Sequence, residues 1–384
     1  MYNLTSHYEN IFHYIKNIIA HRRVLYLHPF GSTQPENIET LDDDLEELNA
    51  TLLQELRVGR IDEGPLLIFY DQEPILNPFN QQLFDHIRDN LLGPHILITT
   101  ERDSVPVQQI KERYGWPVVY YFHHIFAAHD WFRGYQYDSR IIAPVERKIK
   151  KKYITFNRLT SSLRIYRSLF VSKLAKLNIL DQGYVSYTDT CPDGGTYIEN
   201  LNQSVTDDLI SQEVANDAID TLSTIQFPLR IDYKNNFTIP NRSMVLSAIE
   251  ETQESFVYVV TETCFWETKC HLTEKIFKPI VSKMPFILVG CAFNLEYLKS
   301  YGFKTFDRWF DESYDKITDP LLRLDAISNL LESICSYSNE DLEKMLAEMQ
   351  VVIDYNYNLF YSKEFIDSAW NELTTNLAAA VVPT

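Results

Sequence analysis

VYVVTETCFWETKCHLTEKIFKPIVSKMPFILVG, residues 257–290, decides the fold class of this chain. An apolar run closes on Thr261 and Glu262, a polar loop follows, Thr273-Glu274-Lys275 opens a short helix, and a second apolar strand covers 285–289. Strand, charged helix start, strand is the order by which an α/β domain sets a carboxylate and an ammonium at the carboxyl edge of a parallel sheet, where such folds bind ligands. A helix N-terminus also draws anions. With Lys275 in that first turn the fitting guest is a phosphate or diphosphate, and Glu274 accepts hydrogen bonds from ribose or sugar hydroxyls. Taken alone, the triplet reads more readily as a capping box beside a solvated lysine, because motifs this short recur by chance.

Upstream, the same strand-then-turn theme recurs. Residues 24–27 lead into His28-Pro29-Phe30-Gly31, 66–70 end at Asp71-Gln72-Glu73-Pro74, 95–99 at Thr100-Glu101-Arg102, and 118–122 at His123-His124. Segments with helical spacing follow these runs, as over 80–92, which fits βα units around a mostly parallel sheet. The acidic stretch 36–56 reads as an exposed helix with its leucines inward. A second α/β unit starts after the basic run RKIKKK (147–152): strand 153–156, turn Asn157-Arg158, then a helix over 162–177 with Arg164 and Arg167 in its first turns. Residues 189–225 read as a surface excursion with one helix near 207–222. From residue 321 the pattern is helical, with breaks near 336–339 and 355–361, and a tail returning to the first domain is consistent with it.

At 384 residues the chain exceeds the size of one core, so two domains are expected. The boundaries expected are 1–148 for an acceptor-side domain, 149–350 for a donor domain and 351–384 for a helical tail. A formal charge of −18 disfavours binding to a nucleic-acid backbone, which calls for basic faces. The run 147–152 is the densest basic patch and reads as a solvated domain junction rather than a phosphate or nucleic-acid site. Five cysteines without a CxxC pair point to neither a disulfide framework nor a metal site. The first residues lack the order of a signal peptide, and no apolar stretch reaches the ~18 residues that span a bilayer. The expected compartment is therefore the cytoplasm, a host's if the chain is viral, and motifs such as Asn236-Phe237-Thr238 say nothing about glycosylation.

Three segments together resemble the donor domain of GT-B glycosyltransferases, specifically the family 10 inverting fucosyltransferases and related transferase-like proteins of large viruses and phages. The first segment is Glu262-Thr263 with Leu272-Thr273-Glu274-Lys275. In the fucosyltransferases a Glu-Asn-Ser segment precedes a Tyr-Val-Thr-Glu-Lys segment; here Thr263 and Cys264 replace Asn and Ser, His271 replaces Tyr, and the gap is longer. These departures bear on the identity of the sugar more than on the presence of a nucleotide site. The text from Phe277-Lys278-Pro279-Ile280 through Gly302-Phe303-Lys304 to Asp311-Glu312-Ser313 is similar to the viral group throughout. The second segment is Phe156-Asn157-Arg158 with Arg164, where the resemblance implies an Arg at the donor diphosphate, Arg164 being better spaced and Arg158 the alternative; a guanidinium fork suits a diphosphate. Arg167 reads as readily as a surface residue of an amphipathic helix. The third segment, Phe69 to Pro74, is similar to the Glu-Ser-Pro segment that carries the family's general base, which implies Glu73 for that role with Asp71 behind it.

The resemblance implies two Rossmann-like domains facing a cleft with a helical C-terminal tail, and inverting sugar transfer from a nucleotide diphosphate to a hydroxyl of a glycan, protein or modified base. It implies no obligatory metal or other cofactor, since side-chain cations take the metal's part. The expected donor residues are Asn157, Arg158, Arg164, Glu262, Thr273, Glu274 and Lys275. The histidine-rich run 122–131 matches no common zinc motif and reads better as a loop lining the acceptor cleft, with His123, His124 and Trp131 or Tyr135 against a sugar. His28 to Gly31 (residues 28–31) is a further candidate for that lining. Two rivals remain open: a GT-A transferase with a metal at Asp71-Gln72-Glu73, and a catalytically inactive transferase-like virion or carbohydrate-binding protein.

Overall fold

The computed structural model describes residues 23–26, 64–71, 73–75, 81–91, 93–133, 147–229, 231, 246 and 248–381. The candidates at 28–31 and 36–56, Gln72, Tyr135 and Asn236 lie outside the described residues. The chain divides into two compact units, one of Met1–Asp130, Lys269–His271 and Lys363–Thr384, the other of Trp131–Thr268 and Leu272–Ser362.

In the first unit β1 (Arg23–Tyr26), β2 (Leu66–Tyr70), β3 (His95–Thr99) and β4 (Val118–Tyr120) form a parallel sheet in sequence order. Helix α1 (Gln81–Asn90) buries Leu83, Phe84 and Ile87 on its i, i+1, i+4 face. These pack with Leu66, Ile68 and Leu97 of the strands and with Val107 and Ile110 of α2 (Val105–Tyr114). Each fully buried large apolar side chain contributes roughly 1.5–3 kcal/mol, which makes this layer the unit's main support. Helix α2 starts where Ser104 accepts from the Val107 N–H and stops at Gly115, whose φ of 65° suits a glycine cap.

The histidine-rich run is not a loop. His123–Arg133 is a helix, α3, in which Ile125, Phe126, Ala127, Ala128 and Phe132 are all buried. Its histidines His123, His124 and His129 are buried with them, because the helix is covered on more than one side.

The second unit has the sheet order β6-β5-β7-β8, all parallel, from β5 (Lys151–Phe156), β6 (Gly183–Ser186), β7 (Ser255–Thr261) and β8 (Phe286–Val289). Between β5 and β6 runs α4 (Tyr166–Lys176), preceded by a single 3₁₀ turn at Ser162–Arg164. The excursion after β6 carries two helices, α5 (Tyr197–Thr206) and α6 (Gln212–Leu222), where the sequence suggested one. Thr196 and Glu199 close a reciprocal capping box on α5. A short α7 (Ile249–Gln253) leads into β7.

The basic run 147–152 lies within the second unit, with Lys148 and Lys150 exposed and Arg147, Lys151 and Lys152 half-buried. Arg147 donates to the carbonyls of Ser255 and, at 3.3 Å, Lys283, while Lys150 pairs with Glu254 and Lys152 reaches the Tyr337 carbonyl at 2.8 Å. Burial pushes the Arg147 guanidinium down to about 10. The run secures the start of β5.

Beyond β7 come a 3₁₀ turn (Glu274–Ile276), α8 (Phe277–Val281), α9 (Asn294–Ser300), α10 (Pro320–Ser336) and α11 (Asn339–Phe360). The last helix, α12 (Lys363–Val381), belongs to the first unit, where Phe126 meets Trp370 at 4.2 Å and the Asn376 amide donates to the Tyr120 carbonyl at 2.9 Å. Among the described residues no helix is long and apolar enough to cross a membrane.

Candidate functional site

In the second sheet the chain passes from β5 outward to β6, then returns beside β5 as β7 and proceeds to β8 on the other side. The reversal puts a topological switch point between β5 and β7, and ligands of open α/β sheets bind beyond the carboxyl ends of such a pair. The residues that leave those two ends are Asn157 and Glu262, both fully buried. Asn157 extends the ladder through its N–H to the Ser186 carbonyl at 2.9 Å; among the described residues its Oδ1 has no hydrogen-bond partner.

Glu262 organises the loop behind it. Its Oε1 accepts from the Thr273 N–H at 3.2 Å, and its Oε2 from the Thr273 hydroxyl at 2.5 Å and the Thr263 N–H at 3.2 Å. Both oxygens are thus occupied by the protein itself, and Glu262 and Thr273 act by shaping the loop that presents their neighbours. Burial raises the Glu262 pKa, with Lys275 and Thr273 opposing.

The Lys275 ammonium is fixed by Thr263 Oγ1 (3.2 Å), Thr273 Oγ1 (3.1 Å) and Glu274 Oε1 (3.1 Å), yet its side chain keeps 28% exposure. Glu274 is more enclosed; burial favours its neutral form, but Lys275 and Lys278 outweigh that and bring its pKa below the ordinary value. The helix expected at this point is a three-residue 3₁₀ turn followed by five residues of α8. So short a pair has little macrodipole, and attraction for an anion rests on side-chain cations instead.

Two arginines stiffen the edge. Arg167 is buried, not a surface residue, and donates to the carbonyls of Leu159, Thr261 and Glu262, each at 3.0 Å. Arg323, also buried, donates to the Gly290 carbonyl at 3.1 Å and to that of Phe265. Gly290 follows β8, and a Cβ there would lie 3.6 Å from the Glu262 side chain. Arg158 is exposed and Arg164 half-buried on the segment leaving β5. In the segments of this unit that run from β5 into the start of α4 and from β7 into the start of α8, Arg158, Arg164, Arg167, Lys275 and Lys278 thus outnumber Glu262, Glu267 and Glu274.

Lys278 was not among the sequence candidates. It is half-buried, and no hydrogen bond or ion pair from a described residue engages its ammonium. Burial, reinforced by Lys275 and opposed by Glu274 and Glu262, pushes it down to about 8. Its spacing of four from Glu274 and three from Lys275 was the available signal.

In the first unit Asp71 is buried, with Oδ2 accepting from the Tyr121 hydroxyl and 3.5 Å from His123 Nδ1. Tyr121 and His123 are themselves joined at 2.9 Å. This network occupies Asp71 and His123 inside the protein, and His124 is buried edge-on to His271 at 5.7 Å. The structure thus encloses His123 and His124, expected to line an acceptor cleft, because the run that carries them coils into α3. Trp131 is half-buried and belongs to the second unit.

Glu73 is half-buried, three residues beyond the end of β2. The backbone just after it is clamped: the Ile75 N–H donates to Glu101 Oε1 at 2.7 Å, and the Lys269 ammonium donates to the Ile75 carbonyl at 2.9 Å and to Glu101 Oε1 at 3.0 Å. Ser104 caps the other Glu101 oxygen. Burial, helped by the charges of Glu73 and Glu101, pushes the Tyr70 hydroxyl up to about 12. The clamp was not foreseen, since Lys269 lies far along the chain from Glu101.

Among the described residues no group of three or more His, Cys, Asp or Glu is arranged to hold a metal ion. Comparisons with protein-family models, curated proteins and solved structures return no match.

Proposed function

We propose that the protein is a glycosyltransferase of the GT-B type that moves a sugar from a nucleotide diphosphate to an acceptor hydroxyl with inversion. The observation that carries this reading is the cation-rich switch point of the second sheet, where Lys275 is held by Thr263, Thr273 and Glu274 yet keeps an open side. Positive charge held in place at a low-dielectric edge is what a departing diphosphate needs.

In this reading Lys275 and Arg164, with Arg158 as the alternative arginine, neutralise the diphosphate. Glu274 steadies Lys275 and accepts from sugar or ribose hydroxyls, and Glu262 and Thr273 set the loop. Asn157 Oδ1 offers an acceptor at the same edge. Glu73 takes the proton of the acceptor hydroxyl while that oxygen bonds the anomeric carbon; the bond from that carbon to the diphosphate oxygen breaks, and the diphosphate leaves with the electron pair. The Glu101–Lys269 clamp on Ile75 supports the Glu73 loop.

The test is hydrolysis or transfer from a panel of GDP- and UDP-sugars by the purified protein, alongside Lys275→Ala and Glu73→Gln. Turnover of at least one donor, strongly reduced in both variants, is expected. Undiminished turnover in Lys275→Ala would refute the diphosphate assignment, and full activity in Glu73→Gln would make Glu73 structural. Nucleotide binding with no turnover across the panel would replace the enzyme by a transferase-like binding protein, and loss of turnover with a chelator would favour a metal-dependent GT-A mechanism.

A further inference from the structure

We infer that Lys278 is a second phosphate-binding cation of the switch-point edge, gripping with Lys275 the diphosphate of a nucleotide; this rests on the nucleotide reading above. The two lysines lie three residues apart across a 3₁₀ turn that runs directly into α8, a spacing that puts their side chains on neighbouring positions of one face. Glu274, one position before Lys275, feels both cations.

The other partly buried lysines of this unit have protein partners. Lys275 has Thr263, Thr273 and Glu274, Lys283 has Asp354 at 2.8 Å, Lys173 has Asp325, Lys151 has the Asp181 carbonyl and Lys152 the Tyr337 carbonyl at 2.8 Å. Lys278 alone in this group has no hydrogen bond or ion pair among the described residues. The Lys278 stem is half-buried, but its ammonium is not one of the enclosed polar atoms that lack a partner, so it stays open to solvent and no described residue pairs with it. A fold that keeps such a group beside a second lysine holds it for a ligand of opposite charge.

The charges around Lys278 leave it unmatched. Glu274 already shares itself with Lys275, and Glu262, whose charged form is disfavoured by burial, has both oxygens occupied by Thr263 and Thr273. From α11, which packs on α8, Asp354 is taken by Lys283. One carboxylate between two ammonium groups leaves about one positive charge uncompensated, and two ammonium groups match the paired charges of a diphosphate better than one. The depressed pKa of about 8 has the same origin: burial and the neighbouring Lys275 oppose the charge on Lys278, and a bound anion would restore it.

This gives the site a pH signature. Below about pH 8 Lys278 is charged and ready for the anion; as pH rises through that value the free site loses a cation and binding weakens. The phosphates of a nucleoside diphosphate have a last pKa near 6, and guanine and uracil keep their ring N–H proton below about pH 9, so between pH 7.5 and 8.5 the change in affinity comes from the protein. The experiment is calorimetric titration of the full chain with GDP and UDP from pH 7.5 to 8.5, for wild type, Lys278→Met, Lys278→Arg and Lys275→Ala.

Wild-type affinity is expected to fall about threefold over this range. Lys278→Met should bind about tenfold more weakly at pH 7.5, with a flat profile, and Lys278→Arg should bind well at all pH values, also with a flat profile. A Lys278→Met protein that matches wild type in affinity and pH dependence, while Lys275→Ala weakens binding, would overturn this inference alone. A wild type that binds neither nucleotide would overturn both the inference and the nucleotide reading. Circular-dichroism melting of each variant distinguishes lost binding from lost folding, and the Arg variant keeps the test valid should the Met variant fail to fold.

Discussion

Glu101 and Lys269, at the carboxyl edge of the first sheet, spend their charges on each other; Lys275 and Lys278, at the same edge of the second sheet, share one carboxylate. The first pair is enclosed, with 1% and 0% side-chain exposure for Lys269 and Glu101, and its remaining hydrogen bonds go to Ile75 and Ser104. The second set keeps cationic capacity that the protein does not use up. Buried charge that is matched specifies architecture, whereas charge left in surplus at a sheet's switch point is available to a ligand.

The largest effect expected from this contrast is on stability. Lys269→Ala strands Glu101 in the interior and should cost about 3–5 kcal/mol in urea unfolding, whereas Lys275→Ala should cost less than about 1 kcal/mol. Similar losses for the two variants would erase the distinction. Next in size, Arg167→Met leaves the carbonyls of Leu159, Thr261 and Glu262 without their donor and should cost roughly 2–3 kcal/mol, while exposed Arg158→Ala stays within about 0.5 kcal/mol, both read from the same curves.

The third expectation moves from folding to binding. Lys275→Ala should weaken GDP or UDP binding by about 10- to 100-fold in calorimetry, the worth of one or two charge-assisted hydrogen bonds, with its melting temperature nearly unchanged. The smallest effect sharpens the contrast within the second edge. Burial raises the folded-state pKa of Glu262, so its contribution to stability is full below the ordinary glutamate range and is lost as pH rises through the raised value. Glu274 is displaced downward because Lys275 and Lys278 overcome its burial, so its contribution is present above the ordinary range and lost as pH falls. From pH 4 to 7 the stability of wild type relative to Glu262→Gln should fall, and relative to Glu274→Gln should rise. Parallel slopes in urea unfolding would mean that the two carboxylates are not differentiated.

The two parallel sheets were legible because β2, β3, β7 and β8 are unbroken apolar runs bounded by polar turns. Strand β6 was not: Gly183-Tyr184-Val185-Ser186 has no such run, and its glycine is required because a Cβ there would lie 2.3 Å from the Tyr153 ring. The carboxyl-edge position of Glu262 and Lys275 could be read from residue order, but the occupation of both Glu262 oxygens by Thr273 and Thr263 could not, since it depends on how the loop closes. For one reason the place of Arg167 was left undecided and the burial of the α3 histidines was missed. A polar residue type suggests solvent, yet Arg167 finds carbonyls and His123 finds Asp71 and Tyr121 inside the fold.

The first unit takes three residues, Lys269–His271, from the middle of a long loop and its last helix from Lys363–Val381. Neither unit is therefore a contiguous stretch of polypeptide. On a ribosome the second unit has emerged in full by Ser362, while β4 still awaits the Trp370 and Asn376 turns of α12. Vectorial synthesis would then complete the later-encoded unit first, reversing the usual amino-to-carboxyl order, and would leave the earlier sheet's apolar surface to chaperones in the interval.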